Sequence, residues 1–184
     1  MITLGQLTLI IPNAGNRKRR EFLEPLNAAM QEFDINTPLR EAAFIAQIAH
    51  ESCSLVYMKE IANGSAYDNR RDLGNTRPEA IRIAKEHGMT AGRWWKGHGP
   101  LQITGYDNHK KCGEALGLDL LNNPGLITLP KDGCRSAAWF WKTHGLNELA
   151  DKELFSQITK VINGGVNGAR ERLQFYHTAR HVLK

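Results

Sequence analysis

A histidine and a glutamate, His50 and Glu51, stand at the end of an apolar stretch and are the first residues whose position indicates chemistry. Thr37 and Pro38 are typical of an N-cap and a first helical position, so residues 39–49 are predicted to form a buried helix. Apolar neighbours and the negative end of the helix dipole favour the protonated form of a carboxyl group placed there, as a general acid requires. A surface glutamate on a fraying last turn is the alternative.

A second carboxylate, Glu60, follows soon after, and Asp68 and Asp72 lie in the polar segment beyond it. Two carboxylates on opposite sides of a cleft are the minimum for glycoside hydrolysis. One protonates the leaving oxygen, while the other activates water or forms a covalent intermediate. Acids this close in sequence are common by chance, so this pair alone decides nothing.

The segment 94–105, WWKGHGPLQITG, combines residue types that suit a sugar site. Glycines let the backbone approach a ligand, Trp94 offers a face on which a sugar ring stacks, and Gln102, Thr104 and the later Asn108 form directional hydrogen bonds. The alternative is that the tryptophans belong to the core and the glycines to turns. Another segment, INGGVNG, predicts by itself only a helix end followed by a turn.

Metal, cofactor and disulfide chemistry have little support in the sequence. The zinc motif HExxH would need histidine at position 54, where the chain has Ser54, and the other histidines form no ligand cluster. The three cysteines, Cys53, Cys112 and Cys134, form no CxxC pair and are expected to be reduced. We expect neither a metal nor a cofactor.

The elements that must position these residues are mostly helices. The residues that start and stop helices along the chain predict a mainly α fold in which two helical lobes form a cleft. Residues 63–76 are predicted to be a loop or at most a small β-hairpin arm. Pro25 must lie in the first turn of its helix or bend it. The predicted helices cover approximately residues 2–11, 22–30, 39–49, 76–88, 131–144, 152–163 and 169–182.

Composition narrows the class of protein further. With 184 residues, 41% hydrophobic and 23% charged, the chain is expected to be one globular domain, neither disordered nor fibrous. No signal peptide or transmembrane segment is expected, since no apolar run approaches about 18 residues. The net charge of +5 suits a polyanion: nucleic acid, an anionic membrane face or an acidic wall polymer. The basic run at residues 17–20 is either a solvated helix start or an attraction for such a polymer.

Taken together, four segments resemble family 19 of the glycoside hydrolases, which comprises chitinases and, in a phage branch, endolysins that cut peptidoglycan. The segments are AHES, KEIANGSAYDNRRDLGNT, KGHGPLQITGYDNH and INGGVNG with the trailing RERLQFY. The resemblance spans roughly residues 37–176. It implies a lysozyme-like, two-lobed helical domain with a substrate cleft, formed by residues 1–184 as a single catalytic domain without a separate cell-wall-binding domain.

The resemblance also implies roles for individual residues. Glu51 matches the general acid, Glu60 the carboxylate that activates water in an inverting reaction, and Thr104 a hydroxyl that holds this water. The substrate-binding positions are Trp94, Gln102, Asn108 and Asn163, together with Arg172, which organises charge near the acid. Two positions depart from the chitinase pattern.

One departure is Asn167, where chitinases carry a glutamate that pairs with this arginine, so the charge network behind the acid must differ. The other is His98, which replaces the commoner arginine of GRGP.

The sequence-based hypothesis is therefore a monomeric endolysin that hydrolyses β-1,4 bonds of bacterial peptidoglycan by general acid/base catalysis. Its partners would be peptidoglycan strands and a separate holin-type membrane protein, without nucleic acid, and it would wait in the host cytoplasm until release to the wall. The alternatives are a chitinase, a lytic transglycosylase, a non-catalytic glycan-binding module and a basic nucleic-acid binder.

Overall fold

Helices supply nearly all regular structure in the computed structural model, which describes the whole chain from Met1 to Lys184. The predicted mainly α fold is confirmed. Three short 3-10 helices cover Ser65–Tyr67, Arg71–Leu73 and Pro124–Thr128. The α-helices are α1 (Leu4–Ile10), α2 (Asn16–Glu32), α3 (Pro38–Glu51), α4 (Pro78–Glu86), α5 (Ala91–Trp94), α6 (Tyr106–Leu116), α7 (Pro130–Thr143), α8 (Leu146–Asp151), α9 (Phe155–Asn163) and α10 (Ala169–Val182).

Helix α3 is the central element of the fold, and it begins as the sequence predicts. The Thr37 hydroxyl accepts a hydrogen bond from the Arg40 amide at 3.3 Å, with Pro38 at the first helical position. Every residue from 42 to 49 is buried, so α3 is covered on all sides. Its most extensive neighbour is α10, which runs in the opposite direction, so the last turn of α3 lies beside the first turn of α10.

Separate apolar clusters correspond to the two predicted lobes. The large cluster surrounds α3 with side chains of α1, α2, α7, α8, α9 and α10, and within it Phe44 meets Trp141 edge to face at 5.3 Å between ring centroids. The smaller lobe contains one cluster around Trp95 and Tyr106 and another around Cys112 and residues 116–127. Three of the eight candidate site residues, Glu60, Gln102 and Thr104, lie in loops, and the other five lie on helices.

Several elements differ from the sequence prediction. Helix α2 begins at Asn16, so Pro25 lies inside it, neither in its first turn nor at its end. Residues 63–76 form two 3-10 turns and no hairpin. The only β pairing is a pair of isolated bridges, Lys59 with His98 and His98 with Ile103. The helix predicted from residue 152 starts at Phe155, because Glu153 adopts a left-handed conformation with φ of 57°.

The basic run at the start of α2 has partners within the protein. Arg17 and Lys18 form ion pairs with Glu21 at 2.7 and 3.4 Å. Arg19 is buried and donates to the carbonyl oxygens of residues 11, 12 and 14 in the turn that joins α1 to α2. Only Arg20 lacks an ionic or hydrogen-bonded partner. Arg17 and Lys18 are thus paired within α2, and Arg19 alone ties this helix to the turn that follows α1.

All three cysteines are free. Cys112 and Cys134 are buried, and burial raises the pKa of the Cys112 thiol to about 12 and that of Cys134 still further. Both therefore remain neutral packing residues. None of the helices combines the length and hydrophobicity that crossing a membrane requires.

Candidate functional site

Glu51 is the last residue of α3, and its carboxylate contacts a buried arginine from α10. Glu51 Oε1 lies 2.5 Å from Arg172 Nη2; the glutamate side chain is 19% exposed and the arginine side chain 1%. Glu51 Oε2 has no hydrogen-bond partner within the protein. The structure thus brings together the predicted acid and the predicted arginine, and leaves one carboxylate oxygen available to a ligand.

Arg172 has further partners, all of which are uncharged. Its Nη1 donates to Gln47 Oε1 at 2.5 Å and its Nε donates to the Asn167 carbonyl oxygen at 3.2 Å. Gln47 in turn donates to the Thr159 hydroxyl at 2.9 Å. At position 167, for which the sequence resemblance predicted a departure from a glutamate, the chain contributes a backbone carbonyl, and Glu51 is the sole acidic partner of this buried guanidinium.

This arrangement adds an influence that the sequence argument did not weigh. That argument considered only apolar neighbours and the helix end, whereas the guanidinium of Arg172 stabilises negative charge on Glu51 Oε1. The acid becomes a carboxylate when it gives up its proton, and a preorganised positive group then stabilises the charge that develops.

A strained turn follows Glu51 directly. Cys53, Ser54 and Leu55 have φ values of 50°, 59° and 66°, the left-handed region that residues other than glycine rarely occupy. The Ser52 hydroxyl donates to the Ile48 carbonyl at 2.6 Å and accepts from the Leu55 amide at 2.8 Å. Leu55 is completely buried in the large cluster. Tertiary contacts therefore hold residues 53–55 in a turn that they would not adopt on their own.

Glu60 is held by three hydrogen bonds. Its Oε1 accepts from the Tyr67 hydroxyl at 3.1 Å, its Oε2 accepts from the Gly97 amide at 2.9 Å, and its own amide donates to the Gly97 carbonyl at 2.8 Å. Glycine at position 97 lets the Gln102 amide lie against this backbone, since a Cβ there would come too close to Gln102 Oε1 and would be 3.3 Å from Glu60 Cβ. The second predicted carboxylate is therefore fixed in orientation by its surroundings.

We expect Tyr67→Phe to lower kcat about tenfold with little change in KM. The substitution removes one donor to the Glu60 carboxylate, and a hydrogen bond to a charged group contributes roughly 1.5–3 kcal/mol. The measurement is steady-state hydrolysis of a chitin oligomer. Tyr57→Phe is the matched control, since the Tyr57 side chain is 47% exposed and its hydroxyl has no protein partner. Equal kcat values for the two variants would contradict this positioning role.

Gln102, Thr104 and Asn108 line one pocket of about 180 Å³, together with residues of α7 such as Trp139. Each of these side chains donates one hydrogen bond within the protein, which uses the single donor of Thr104 but leaves one N–H of each amide free. Gln102 donates to the Gly99 carbonyl at 2.8 Å, Thr104 donates to the Gln102 carbonyl at 2.9 Å, and Asn108 donates to the Thr104 carbonyl at 2.8 Å. The Thr104 oxygen can still accept, so a water bound there would donate one hydrogen to Thr104.

Beneath this turn, His98 and His109 form a buried pair. A carbonyl can only accept, so His109 Nδ1 carries the proton donated to Gly105 O at 2.8 Å, and its Nε2 accepts from His98 Nδ1 at 3.2 Å. Burial lowers the pKa of His98 to about 3, aided by repulsion from His109 and Lys59, and lowers that of His109 to about 4. Both rings are therefore neutral at neutral pH.

This pair should make the protein lose stability between pH 6.5 and 4.5. Because both folded-state pKa values lie below 6.5, the unfolded chain binds more protons as the pH falls through this window. Stability is complete above pH 6.5 and decreases below it by up to about 1.4 kcal/mol per pH unit for each ring. Urea unfolding at about pH 7 and pH 5 should differ by about 3 kcal/mol.

The matched variant is His98→Asn/His109→Asn, which removes both titrating rings and should flatten this pH dependence. The ion-paired carboxylates Glu32, Asp34 and Asp151 have lowered pKa values and therefore act below the window. An unchanged slope in the double variant would show that other groups cause the loss. His98→Asn alone provides the same comparison if the double variant does not fold.

Trp94 is half-buried and makes several contacts within the protein. Its ring stacks on His87 with 4.0 Å between centroids, and its indole N–H donates to the Leu121 carbonyl at 2.8 Å. It packs on the small-lobe cluster beside the fully buried Trp95. The structure thus shows a packing role for Trp94, and its predicted role in sugar binding stays a prediction.

Asn163, the remaining predicted residue, ends α9 and is half-buried. Its amide makes only a long contact of 3.5 Å with the Asn167 carbonyl, the same oxygen that accepts from Arg172. Asn163 therefore lies beside the arginine network with an amide that is available to a ligand. Its role in glycan binding stays a prediction.

Sequence reasoning missed several supporting residues. Gln47 lies one helical turn before Glu51 on the same face, and a glutamine in an otherwise apolar helix signals a buried polar partner. His50 contacts Glu171 at 2.6 Å, and Gly168 leaves room for the histidine ring where a Cβ would collide. Tyr67 had no comparable signal in the sequence.

The candidate site does not coincide with the most spacious depression on the protein surface. The largest depression on the surface, about 850 Å³, is lined by Pro38 and Leu39 from the start of α3 and by Arg180 and His181 from the end of α10. It therefore lies at the opposite ends of the two helices from Glu51 and Arg172, and it contains none of the predicted site residues.

Comparison with protein families places this site in a known context. The profile of glycoside hydrolase family 19, described as chitinase class I, matches residues 26–154, which include Glu51, Glu60 and Thr104. Among solved structures, a bacterial family 19 chitinase superposes with a TM-score of 0.77 at 22% identity, covering 99% of this chain and 94% of that one. Chitinase C from Streptomyces griseus gives 0.73 at 23% identity, covering 99% and 76%. These likenesses establish the fold.

Curated proteins with similar sequences point to the same family. A family 19 domain-containing protein of Haemophilus influenzae is 28% identical, with 83% of this chain and 84% of that protein aligned. The acidic endochitinase SP2 of Beta vulgaris is 30% identical, covering 94% and 60%. An endochitinase of Solanum tuberosum is 33% identical, covering 82% and 54%. The chain thus spans only half to three fifths of the plant enzymes.

Proposed function

Because the chain belongs to family 19 of the glycoside hydrolases, we propose that it hydrolyses β-1,4 glycosidic bonds in a polymer that contains N-acetylglucosamine. The observation that carries this proposal is the placement of two oriented carboxylates on different elements. Glu51 is fixed by Arg172 at the end of α3, and Glu60 is fixed by Tyr67 and Gly97 in the following loop.

In the proposed reaction, Glu51 acts as the general acid. Its Oε1 rests on Arg172, so Oε2 is the oxygen that faces the ligand and protonates the leaving glycosidic oxygen. Breaking the C–O bond creates an oxocarbenium-like centre, and the glutamate becomes a carboxylate next to the guanidinium. Arg172 thus favours the state that follows proton transfer over the state that precedes it.

Glu60 is the proposed general base. A water that donates one hydrogen to Glu60 and the other to Thr104 would present its lone pair to the anomeric carbon from the face opposite the leaving group. Such a reaction inverts the configuration and needs room for the water, for which carboxyl separations of about 6.5–9.5 Å are typical. The engaged donor of Thr104 supports this orientation of the water.

Chitin is the polymer that the names of the relatives support, since they include endochitinases. Peptidoglycan is the second candidate, because a net charge of +5 suits an anionic wall polymer. In that case the endolysin role expected from the sequence, with a holin-type membrane protein as its partner, would extend the same chemistry.

Product analysis tests the chemistry. Wild type and Glu60→Gln are incubated separately with a chitin oligomer and with purified peptidoglycan, and the products are examined by mass spectrometry and NMR. We expect α-anomeric reducing ends from the wild type and no turnover by Glu60→Gln. Anhydro products from an active Glu60→Gln variant would indicate a lytic transglycosylase, and binding without turnover by the wild type would indicate a glycan-binding module.

A further inference from the structure

A groove of about 700 Å³ on the small lobe is strongly cationic. Four of its eight lining residues carry a positive charge and none carries a negative one. These four residues, hereafter the cationic groove residues, are Lys59, Lys85, Arg93 and Lys96. The remaining lining residues are Asn63, Gly88, Met89 and Thr90.

The charges in this groove have no acidic partners. None of the cationic groove residues has a carboxylate within 4.0 Å, whereas Arg70, Arg77 and Arg82 in the same part of the chain are paired at 2.5, 2.7 and 2.6 Å. Four like charges around one groove repel one another, and a bound anion would relieve that repulsion. The protein itself therefore does not neutralise the positive charge of this groove.

The carboxylates that could have neutralised it are engaged elsewhere. Asp68 accepts from the Gly92 amide at 2.9 Å and so joins the 3-10 turn to α5. Asp72 is paired with Arg70. The Lys96 ammonium donates to the Ala62 carbonyl at 2.9 Å, which fixes one charge in place.

The groove lies next to the loop that carries Glu60. Lys59 directly precedes Glu60, and Lys96 directly precedes Gly97, whose amide holds the Glu60 carboxylate. The backbone of Lys59 also pairs with that of His98 in an isolated antiparallel β-bridge. His98 lies at the start of the turn that carries Gln102 and Thr104. The groove is therefore lined by the residues that directly precede Glu60 and Gly97 in the chain.

We propose that the cationic groove binds carboxylate groups carried by the glycan next to the bond that is cut. This inference rests on the proposed function and specifies its substrate class, because chitin is neutral. Peptidoglycan carries carboxylates on its stem peptides, and on its lactyl groups once the stems have been removed. The groove thus favours the acidic polymer over the neutral one.

The test measures binding on a full chain that does not turn over its ligand. Glu51→Gln is the background, and Lys85→Gln/Arg93→Gln is added to it because both side chains are exposed and neither contacts Glu60. Lys111→Gln/Lys152→Gln is the matched control, with the same loss of charge at exposed positions outside the groove. The ligands are peptidoglycan strands with stems, strands stripped by an amidase, and a chitin oligomer.

We expect the groove variant to lower the ratio of affinity for stem-bearing strands over chitin about tenfold at low salt, and less at high salt. A similar loss with stripped strands would identify the lactyl carboxylate as the ligand, and a loss confined to stem-bearing strands would identify the peptide. An unchanged ratio, or an equal fall in the control variant, would overturn the inference. Because binding is measured without turnover, failure to hydrolyse any polymer refutes the proposed function separately.

Discussion

Glu51→Gln should reduce kcat by about 10³-fold on any polymer that the protein cleaves. Glutamine keeps the shape of the side chain and can still accept from Arg172, but it has no proton to give to the leaving oxygen. General acid catalysis contributes roughly 10²–10⁴-fold, and the expected loss lies in the middle of that range. The measurement is the initial rate of reducing-end release under saturating substrate.

Glu114→Gln is the control for this experiment, since Glu114 is an exposed glutamate on α6 without an ion pair or a hydrogen bond. Circular dichroism at the assay temperature must show that both variants are folded, because Glu51→Gln also removes the only countercharge of a buried arginine. If the folded Glu51→Gln variant keeps more than about one tenth of the wild-type kcat, Glu51 is not the acid.

Arg172→Met should cost about 3 kcal/mol of unfolding free energy and at least 10²-fold in kcat. The substitution leaves Gln47 Oε1 buried without its donor and leaves Glu51 without its positive partner. An unsatisfied buried acceptor and an unpaired charge both destabilise the folded state. Arg170→Met is the control, because Arg170 lies two residues away, is exposed and has no ion pair. Urea unfolding with an unchanged m value reports the stability difference.

A double-mutant cycle isolates the ion pair from the other roles of these residues. Removing both charges in Glu51→Gln/Arg172→Met leaves neither group alone in the interior, so its cost should be smaller than the sum of the single costs by about 1–3 kcal/mol. Additivity within about 0.5 kcal/mol would mean that the contact of 2.5 Å is energetically unimportant for folding.

Sequence patterns correctly predicted the helix ends that are determined by residues close in the chain. The Thr37 cap and Pro38 located the start of α3, and the apolar run after them located its burial, which places Glu51 at a helix end. Gly88 and Gly145, both with positive φ, end the helices that the sequence predicted they would end.

The rest depends on contacts between distant parts of the chain. Gln47 and Arg172 are 125 residues apart, and only packing of α3 against α10 brings them together. Pro25 remains inside α2 because tertiary packing outweighs its local helix-breaking tendency. The stacking of Trp94 on His87 depends likewise on the packing of α4 against α5.

The left-handed turn at residues 53–55 has a consequence for how the two acids are related. Three successive residues other than glycine would not hold these angles on their own, and they do so because Leu55 is anchored in the large cluster. The path of the chain that leaves Glu51 therefore depends on the packing of the hydrophobic interior. Transplanting the stretch from 51 to 60 onto a foreign scaffold would carry over both glutamates but lose their geometry.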